Sequence, residues 1–136
     1  MNIRTGRHCV FMLHAHLIFI TKYRGKVFHE SSLQRLAIIF KEICEAFEVE
    51  LIEFKGERDH VHLLIHYPPK VQLSKLINSL KGVSSRKLKQ EFDSIRAHWI
   101  CKKSGSLWSP SYFAGSVGGA PLSVLKHYIE QQDSPL

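Results

Sequence analysis

The chain has 136 residues, 44% of them hydrophobic, and a formal net charge of +7. This length suits one domain around one hydrophobic core. No run of about 18 uncharged apolar residues occurs, so we expect no membrane span. The apolar stretch after Cys9 is not followed by a small-residue cleavage site, so we expect no signal peptide. We therefore expect a cytoplasmic protein. Cys9, Cys44 and Cys101 are odd in number and show no C-x-x-C spacing, which excludes a disulfide framework and a zinc knuckle.

The positive charge is concentrated in one segment. Residues 70–103 contain nine lysines and arginines against two acidic residues, so this segment alone accounts for the net charge of the chain. Such a basic segment on a neutral body is typical of a protein that binds a polyanion, and nucleic acid is the favoured partner. The alternative is an ordinary solvated helix face.

Apolar periodicity predicts a mixed order of strands and helices. Side chains that alternate predict strands, and apolar residues three or four apart predict amphipathic helices. In chain order we expect a strand at 10–23, a helix at 31–47, a hairpin of strands at 49–55 and 60–67, a helix at 73–92, a loop or hairpin tip at 102–105, a strand at 111–117 and a short helix at 122–132.

Two histidines begin the second strand of the predicted hairpin. His60 and His62 are two apart, so they share one face of the strand, while Val61, Leu63 and Ile65 face the core. Two imidazoles on one rigid face can converge on a divalent metal, but a site needs a third ligand. Polar residues at the solvated start of a strand are the alternative interpretation.

The C-terminal segment contains further candidates. Gly118-Gly119 suits a hinge. Tyr128 and Gln132 are four apart, so they share one face of the predicted helix. The hydroxyl of Tyr128 is a possible nucleophile, and the amide oxygen of Gln132 is a possible metal ligand. Alternatively, Tyr128 only packs the helix against the rest of the protein.

Seven motifs in this order resemble the small single-tyrosine transposases of the HUH class (His-hydrophobic-His), which move insertion sequences as single-stranded DNA, and their repeat-associated relatives. The motifs are HLIFITKYR at 16–24, DHVHLLI at 59–65, PPK at 68–70, INSLKGVSSR at 77–86, LWSPSYF at 107–113, VGG at 117–119 and YIEQQ at 128–132. They cover most of the chain.

The resemblance implies an α+β, ferredoxin-like fold in which an antiparallel sheet of four to five strands carries two helices on one face. It implies that residues 1–136 are one domain, with 118–136 as a hinge and mobile C-terminal helix. It also implies a homodimer whose tyrosine can act in trans. Carried over residue by residue, Tyr128 becomes the nucleophile, and His60, His62 and Gln132 become ligands of Mg²⁺ or Mn²⁺.

The resemblance implies cleavage and rejoining of single-stranded DNA through a 5′-phosphotyrosine, and we expect this DNA to have hairpin ends. We expect the basic residues to lie along DNA phosphates and Asp59 to orient His60, although a turn-capping aspartate would look the same. The expected DNA-binding residues are Lys81, Arg86, Lys87, Lys89, Lys102 and Lys103.

Three other functions remain open on the sequence. The first is a domesticated, non-catalytic protein of the same fold that binds a DNA hairpin. The second is an RNA-binding ferredoxin-like domain. The third is a phosphodiesterase that uses His14 and His16 with His60 and His62 as paired acid and base, and it would not need Tyr128.

Overall fold

The computed structural model describes residues 3–6 and 10–116 of the chain. Two short strands, β1 (Arg4–Thr5) and β2 (Val10–Phe11), pair with each other. A four-stranded antiparallel sheet is formed by β3 (His14–Ile20), β4 (Glu50–Gly56), β5 (His60–His66) and β6 (Phe113–Ser116). Its spatial order is β4-β5-β3-β6.

Two long helices separate these strands in the chain. They are α1 (Glu30–Ala46), between β3 and β4, and α2 (Leu73–Glu91), between β5 and β6. Two short helices follow, α3 (Asp93–Arg96) and α4 (Trp99–Ser104). The succession β-α-β-β-α-β with this strand order is the ferredoxin-like arrangement, which confirms the predicted fold class.

The core lies between the sheet and the two long helices. Strand residues of one sheet face are fully buried, among them Leu17 and Phe19 from β3. The apolar stripes of α1 and α2 close the core from the other side and include Leu36, Phe40 and Leu80. The opposite face of the sheet is therefore the one that can present polar side chains.

The first predicted strand, 10–23, is wrong as a single strand. Its first part pairs with β1, and the chain enters the main sheet only at His14. Phe11 explains this break, because its ring packs edge-on against His66 and lies 5.2 Å from the Arg4 guanidinium. The strand ends at Ile20, where a single turn of 3₁₀ helix, Lys22–Arg24, begins after Thr21.

The predicted loop at 102–105 is also wrong, since most of it is the end of α4. His98 caps this helix, with its Nδ1 accepting a hydrogen bond from the Ile100 amide at 3.3 Å. Gly105 ends it in the left-handed conformation with a φ of 72°. A side chain there would be strained, which is why glycine is favoured at helix ends.

Other boundaries agree with the sequence to within a few residues. The helix predicted at 73–92 is α2, and the hairpin predicted at 49–55 and 60–67 is formed by β4 and β5. Cys44 and Cys101 are buried free thiols, and burial raises the pKa of Cys44 to about 12. Cys9, the glycine pair and the helix predicted at 122–132 lie outside the described residues.

No helix within residues 3–6 and 10–116 has the length and apolar character needed to span a membrane.

Trp108 ties the last part of the chain to α2. Its indole Nε1 donates a hydrogen bond to Ser84 Oγ at 3.0 Å inside the core. We expect Ser84→Ala to lower the free energy of unfolding by about 1–3 kcal/mol, because a buried indole N–H is left without its acceptor. Urea denaturation measures this.

The matched control is Ser85→Ala, one residue further along the same helix and only partly buried. It makes the same change in helix propensity without touching the indole. Equal stability of the two variants would contradict the importance of this hydrogen bond.

Candidate functional site

The histidine pair predicted from the sequence lies on the face of the sheet opposite the helices. Val61, Leu63 and Ile65 of β5 are fully buried in the core, while His60 and His62 point to the other face and are partly exposed. Their ring centroids are 5.1 Å apart. The alternation expected from the sequence is confirmed, and it brings the two imidazoles together on a rigid strand.

Asp59 holds the ring of His60. The carboxylate Oδ1 and the imidazole Nδ1 are 2.7 Å apart, and Arg24 Nε lies 3.8 Å from the other carboxylate oxygen. The hydrogen bond with His60 is the main reason why the pKa of Asp59 is lowered, and burial opposes it. An ionised carboxylate accepts the Nδ1 proton, so the lone pair of His60 is on Nε2.

His16 holds the ring of His62, a contact that sequence analysis missed. His16 Nε2 and His62 Nδ1 are 3.3 Å apart across the β3–β5 pair. Burial, followed by the charges that His60 and His16 would carry, lowers the pKa of His62 to about 4. His62 is therefore neutral at physiological pH, which a metal ligand must be. When its proton is on Nδ1 and donated to His16, the lone pair is on Nε2, as in His60.

His14 and His66 form a separate pair at the other end of the same strands. Their rings stack at 4.3 Å between centroids, and His66 is buried beneath Phe11. Burial and the neighbouring charges of His14 and Arg4 lower the pKa of His66. The four-histidine cluster expected for a phosphodiesterase is thus divided, because only His16 reaches the site of His60 and His62.

The predicted ligands of a metal ion lie only partly within the described residues. Within the described residues, no group of three or more His, Cys, Asp and Glu side chains could hold a metal ion. The described part supplies two imidazoles whose Nδ1 atoms are engaged and whose Nε2 atoms remain for coordination. These donors fit a divalent ion that takes further oxygen ligands. The predicted ligand Gln132 and the predicted nucleophile Tyr128 lie outside the described residues.

Five of the six predicted DNA-binding residues lie in two groups. One group lines a groove of about 640 Å³ between α2 and the segment around Trp108, where the four cationic lining residues are Lys81, Arg86, Lys89 and Arg96. Lys81 is also structural, because its ammonium donates to the carbonyl of Ser109 at 2.7 Å and burial lowers its pKa.

Lys102 and Lys103 form the second group, at the exposed end of α4. The ammonium of Lys103 lies 5.3 Å from the centre of the Tyr23 ring. Lys87 belongs to neither the groove lining nor this end of α4 and lies on α2. The hydrogen bond from Arg35 is the main reason why the pKa of Glu91 is lowered, and the charge of Lys87 adds to it. The groove adjoins the end of α4, because Lys89 Nζ donates to the carbonyl of Gly105 at 2.9 Å.

A ferredoxin-like sheet with paired histidines on its open face does not by itself define a function, and comparison with known proteins is more specific. The family model described as "Transposase IS200 like" matches residues 9–132. The chain therefore belongs to the IS200-like transposase family, and it is a transposase.

Two relatives illustrate the match in sequence. The transposase of insertion sequence IS200 from Salmonella typhimurium is 28% identical over 119 residues, covering 85% of this chain and 76% of the relative. The ISDra2 transposase TnpA from Deinococcus radiodurans is 30% identical over 133 residues, covering 97% of this chain and 92% of the relative.

Two solved structures share the fold. A crystal structure of a candidate transposase from Deinococcus radiodurans has a TM-score of 0.84 and 30% identity, covering 96% of this chain and 98% of its own. A REP-associated tyrosine transposase bound to a REP hairpin has a TM-score of 0.53 and 11% identity, covering 93% of this chain and 68% of its own. The second match shows the fold alone.

The lowered pKa of His62 predicts acid-sensitive stability of the metal-free protein. A histidine in the unfolded chain titrates near 6.5, whereas His62 in the fold titrates near 4. Between these values the unfolded state binds the additional proton, so stability is complete above about pH 6.5 and declines as pH falls towards 4. We expect His62→Gln to reduce this decline, measured by urea unfolding at several pH values.

A His62→Gln variant whose stability falls with pH as steeply as that of the wild type would show that His62 is not the group responsible.

Proposed function

We propose that this transposase cleaves and rejoins single-stranded DNA through a 5′-phosphotyrosine formed on Tyr128. His60, His62 and Gln132 would bind the divalent metal, Mg²⁺ or Mn²⁺. The observation that supports this most directly is the orientation of the two imidazoles. Asp59 and His16 engage their Nδ1 atoms at 2.7 and 3.3 Å, which leaves two Nε2 atoms on one face of a rigid strand.

The covalent step conserves the phosphodiester for rejoining. The Tyr128 oxygen attacks a backbone phosphorus, an O–P bond to the tyrosine forms and the bond to the 3′ oxygen breaks. The phenol proton ends on the released 3′-hydroxyl, and the 5′-phosphate stays on the enzyme. Attack by a 3′-hydroxyl on this linkage reverses the reaction and joins the strands, so no external energy source is needed.

A phenol with a pKa near 10 is a weak nucleophile at neutral pH, so the site must stabilise the charge that develops on the phosphate. A bound Mg²⁺ or Mn²⁺ supplies Lewis-acid stabilisation of a non-bridging phosphate oxygen. Burial lowers the pKa of His62 to about 4 and so keeps its imidazole neutral, the form that coordinates a cation, while the Asp59 carboxylate orients the ring of His60. The protein thus prepares its ligands before the cation binds.

The basic surfaces would hold the DNA backbone. Arg86 is exposed at the groove beside α2, and Lys102 and Lys103 are exposed on α4, so all three can reach phosphates. A protein of the same fold, the REP-associated tyrosine transposase, is bound to a hairpin. This supports hairpin ends as part of the DNA that the chain recognises.

The family resemblance further supports a homodimer in which Tyr128 of one protomer acts beside the histidines of the other. In this proposal, residues 118–136 are a hinge and a mobile helix, and Gly118-Gly119 supplies the freedom to move. The tyrosine could then reach the metal site in cis or in trans.

Replacing Tyr128 tests the nucleophile. We expect Tyr128→Phe to abolish formation of a covalent protein–DNA complex and to leave the affinity for single-stranded DNA within about twofold, because only the attacking oxygen is removed. A labelled element end incubated with Mn²⁺ and separated on a denaturing gel gives the first result. A binding titration with the same DNA gives the second.

A covalent band that persists in Tyr128→Phe would exclude this tyrosine. Binding without any covalent band in the wild type, on an element end that a related transposase cleaves, would favour the non-catalytic DNA-binding alternative.

The contact between His62 Nδ1 and His16 Nε2 at 3.3 Å predicts a positioning role for His16. We expect His16→Phe, which keeps an aromatic ring but removes the acceptor, to weaken Mn²⁺ binding by about 10- to 100-fold, because a ligand without its hydrogen-bond partner loses orientation and basicity. Isothermal titration calorimetry measures the affinity without any reaction.

The matched control is His14→Phe, two residues earlier on the same face of β3, where the ring stacks on His66. Mn²⁺ affinity should be unchanged in this variant. Equal affinities of His16→Phe and the wild type would contradict the positioning role.

A further inference from the structure

Two aromatic rings form a pair beside the histidine site that the metal chemistry does not use. Tyr23 and Trp99 stack with their ring planes 15° from parallel and their centroids 5.9 Å apart. Trp99 is 41% exposed, whereas Trp108, the other tryptophan of the chain, is 4% exposed in the core. Trp99 therefore presents a large aromatic surface to solvent that the fold does not need for its core.

Two lysines lie over the tyrosine ring of this pair. The ammonium groups of Lys22 and Lys103 lie 5.1 and 5.3 Å from the centre of the Tyr23 ring. They come from different elements, the 3₁₀ turn Lys22–Arg24 and α4. Each gains a cation–π contact with the ring and still has donors for a phosphate. An exposed tryptophan ring with two cations at the adjoining tyrosine ring matches the chemistry of one nucleotide, with its base and its phosphate.

The backbone beneath the pair is held in an unfavourable conformation. Tyr23 and Arg24 have φ angles of 57° and 54°, and neither is a glycine. Such a conformation is unfavourable for a residue with a side chain and persists only where surrounding contacts impose it. Here Lys22 N donates to Leu107 O at 2.9 Å and Gly25 N to Lys22 O at 3.1 Å. Strain of this kind is concentrated at functional sites.

Close packing fixes the distance between the two elements. A Cβ atom at Gly25 would lie 2.5 Å from Ile100 Cγ2 and 3.2 Å from the His98 ring. Only glycine lets the turn approach the start of α4 this closely, and that approach places Tyr23 against Trp99.

We propose that the Trp99–Tyr23 pair is a stacking site for one unpaired base of single-stranded DNA, with Lys22 and Lys103 contacting the adjoining phosphates. This inference rests on the proposed function, because it assigns a position to the strand that enters or leaves the histidine site. The turn joins the two sites directly, since Thr21 N donates to Asp59 O at 3.0 Å and Arg24 lies beside the Asp59 carboxylate.

The intrinsic fluorescence of the wild-type protein tests the proposal first. Oligothymidine added in the presence of a metal chelator should quench the emission of the exposed Trp99, and the duplex of oligothymidine with oligoadenine should quench it much less. Substituting Trp99→Phe should remove this quenching while binding is largely kept, because a smaller ring still stacks.

Affinity gives the second readout. We expect Trp99→Leu, which can still pack on Tyr23 but has no aromatic face, to weaken oligothymidine binding by about 5- to 150-fold, as for the loss of one stacked base. The control Ile38→Leu changes an exposed apolar residue of α1 and should bind normally. Urea midpoints of the variants separate loss of stacking from loss of folding.

Two results would overturn the stacking site: no quenching of the wild type at saturating oligothymidine, or normal affinity in a folded Trp99→Leu variant. Either can occur while wild-type protein still forms the Tyr128 covalent complex, in which case the proposed function stands. Quenching and Trp99-dependent binding without any covalent complex would support the stacking site and contradict the nuclease.

Discussion

The antiparallel register between β3 and β5 is the constraint on which the candidate site depends. Ile18 lies opposite His62 and His16 opposite Leu64, so His16 and His62 are diagonal neighbours on one face. A shift of the pairing register by one residue would place the histidines of β5 in the core and expose the aliphatic side chains of β5 that are now buried. The free energy that buries Val61 and Leu63 therefore also fixes the geometry of the imidazoles.

Much of this arrangement follows from local sequence patterns. Alternation of His60, Val61, His62 and Leu63 predicts which side chains share a face, and the structure confirms it. The spacing of apolar residues likewise predicts α2 nearly to the residue. These predictions succeed because they need only the period of a strand or helix and the preference of apolar side chains for the core.

Features that depend on contacts distant in sequence were not predicted. The partner of His62 is 46 residues away, and the register that selects His16 over His14 is set by the whole strand pair. α4 was missed for a local reason, since a short helix with two lysines resembles a loop unless Gly105 is recognised as its end. The roles of Tyr128 and Gln132 rest on the family resemblance.

The turn at Lys22–Arg24 distributes its three side chains among different neighbours. Arg24 reaches the Asp59 carboxylate, Tyr23 reaches Trp99, and Lys22 covers the ring beside it. Residues that share so short a rigid segment cannot respond independently when one of them moves. Substitutions at Trp99 and at Asp59 should consequently have non-additive effects on the free energy of unfolding, because the turn couples the two neighbourhoods mechanically.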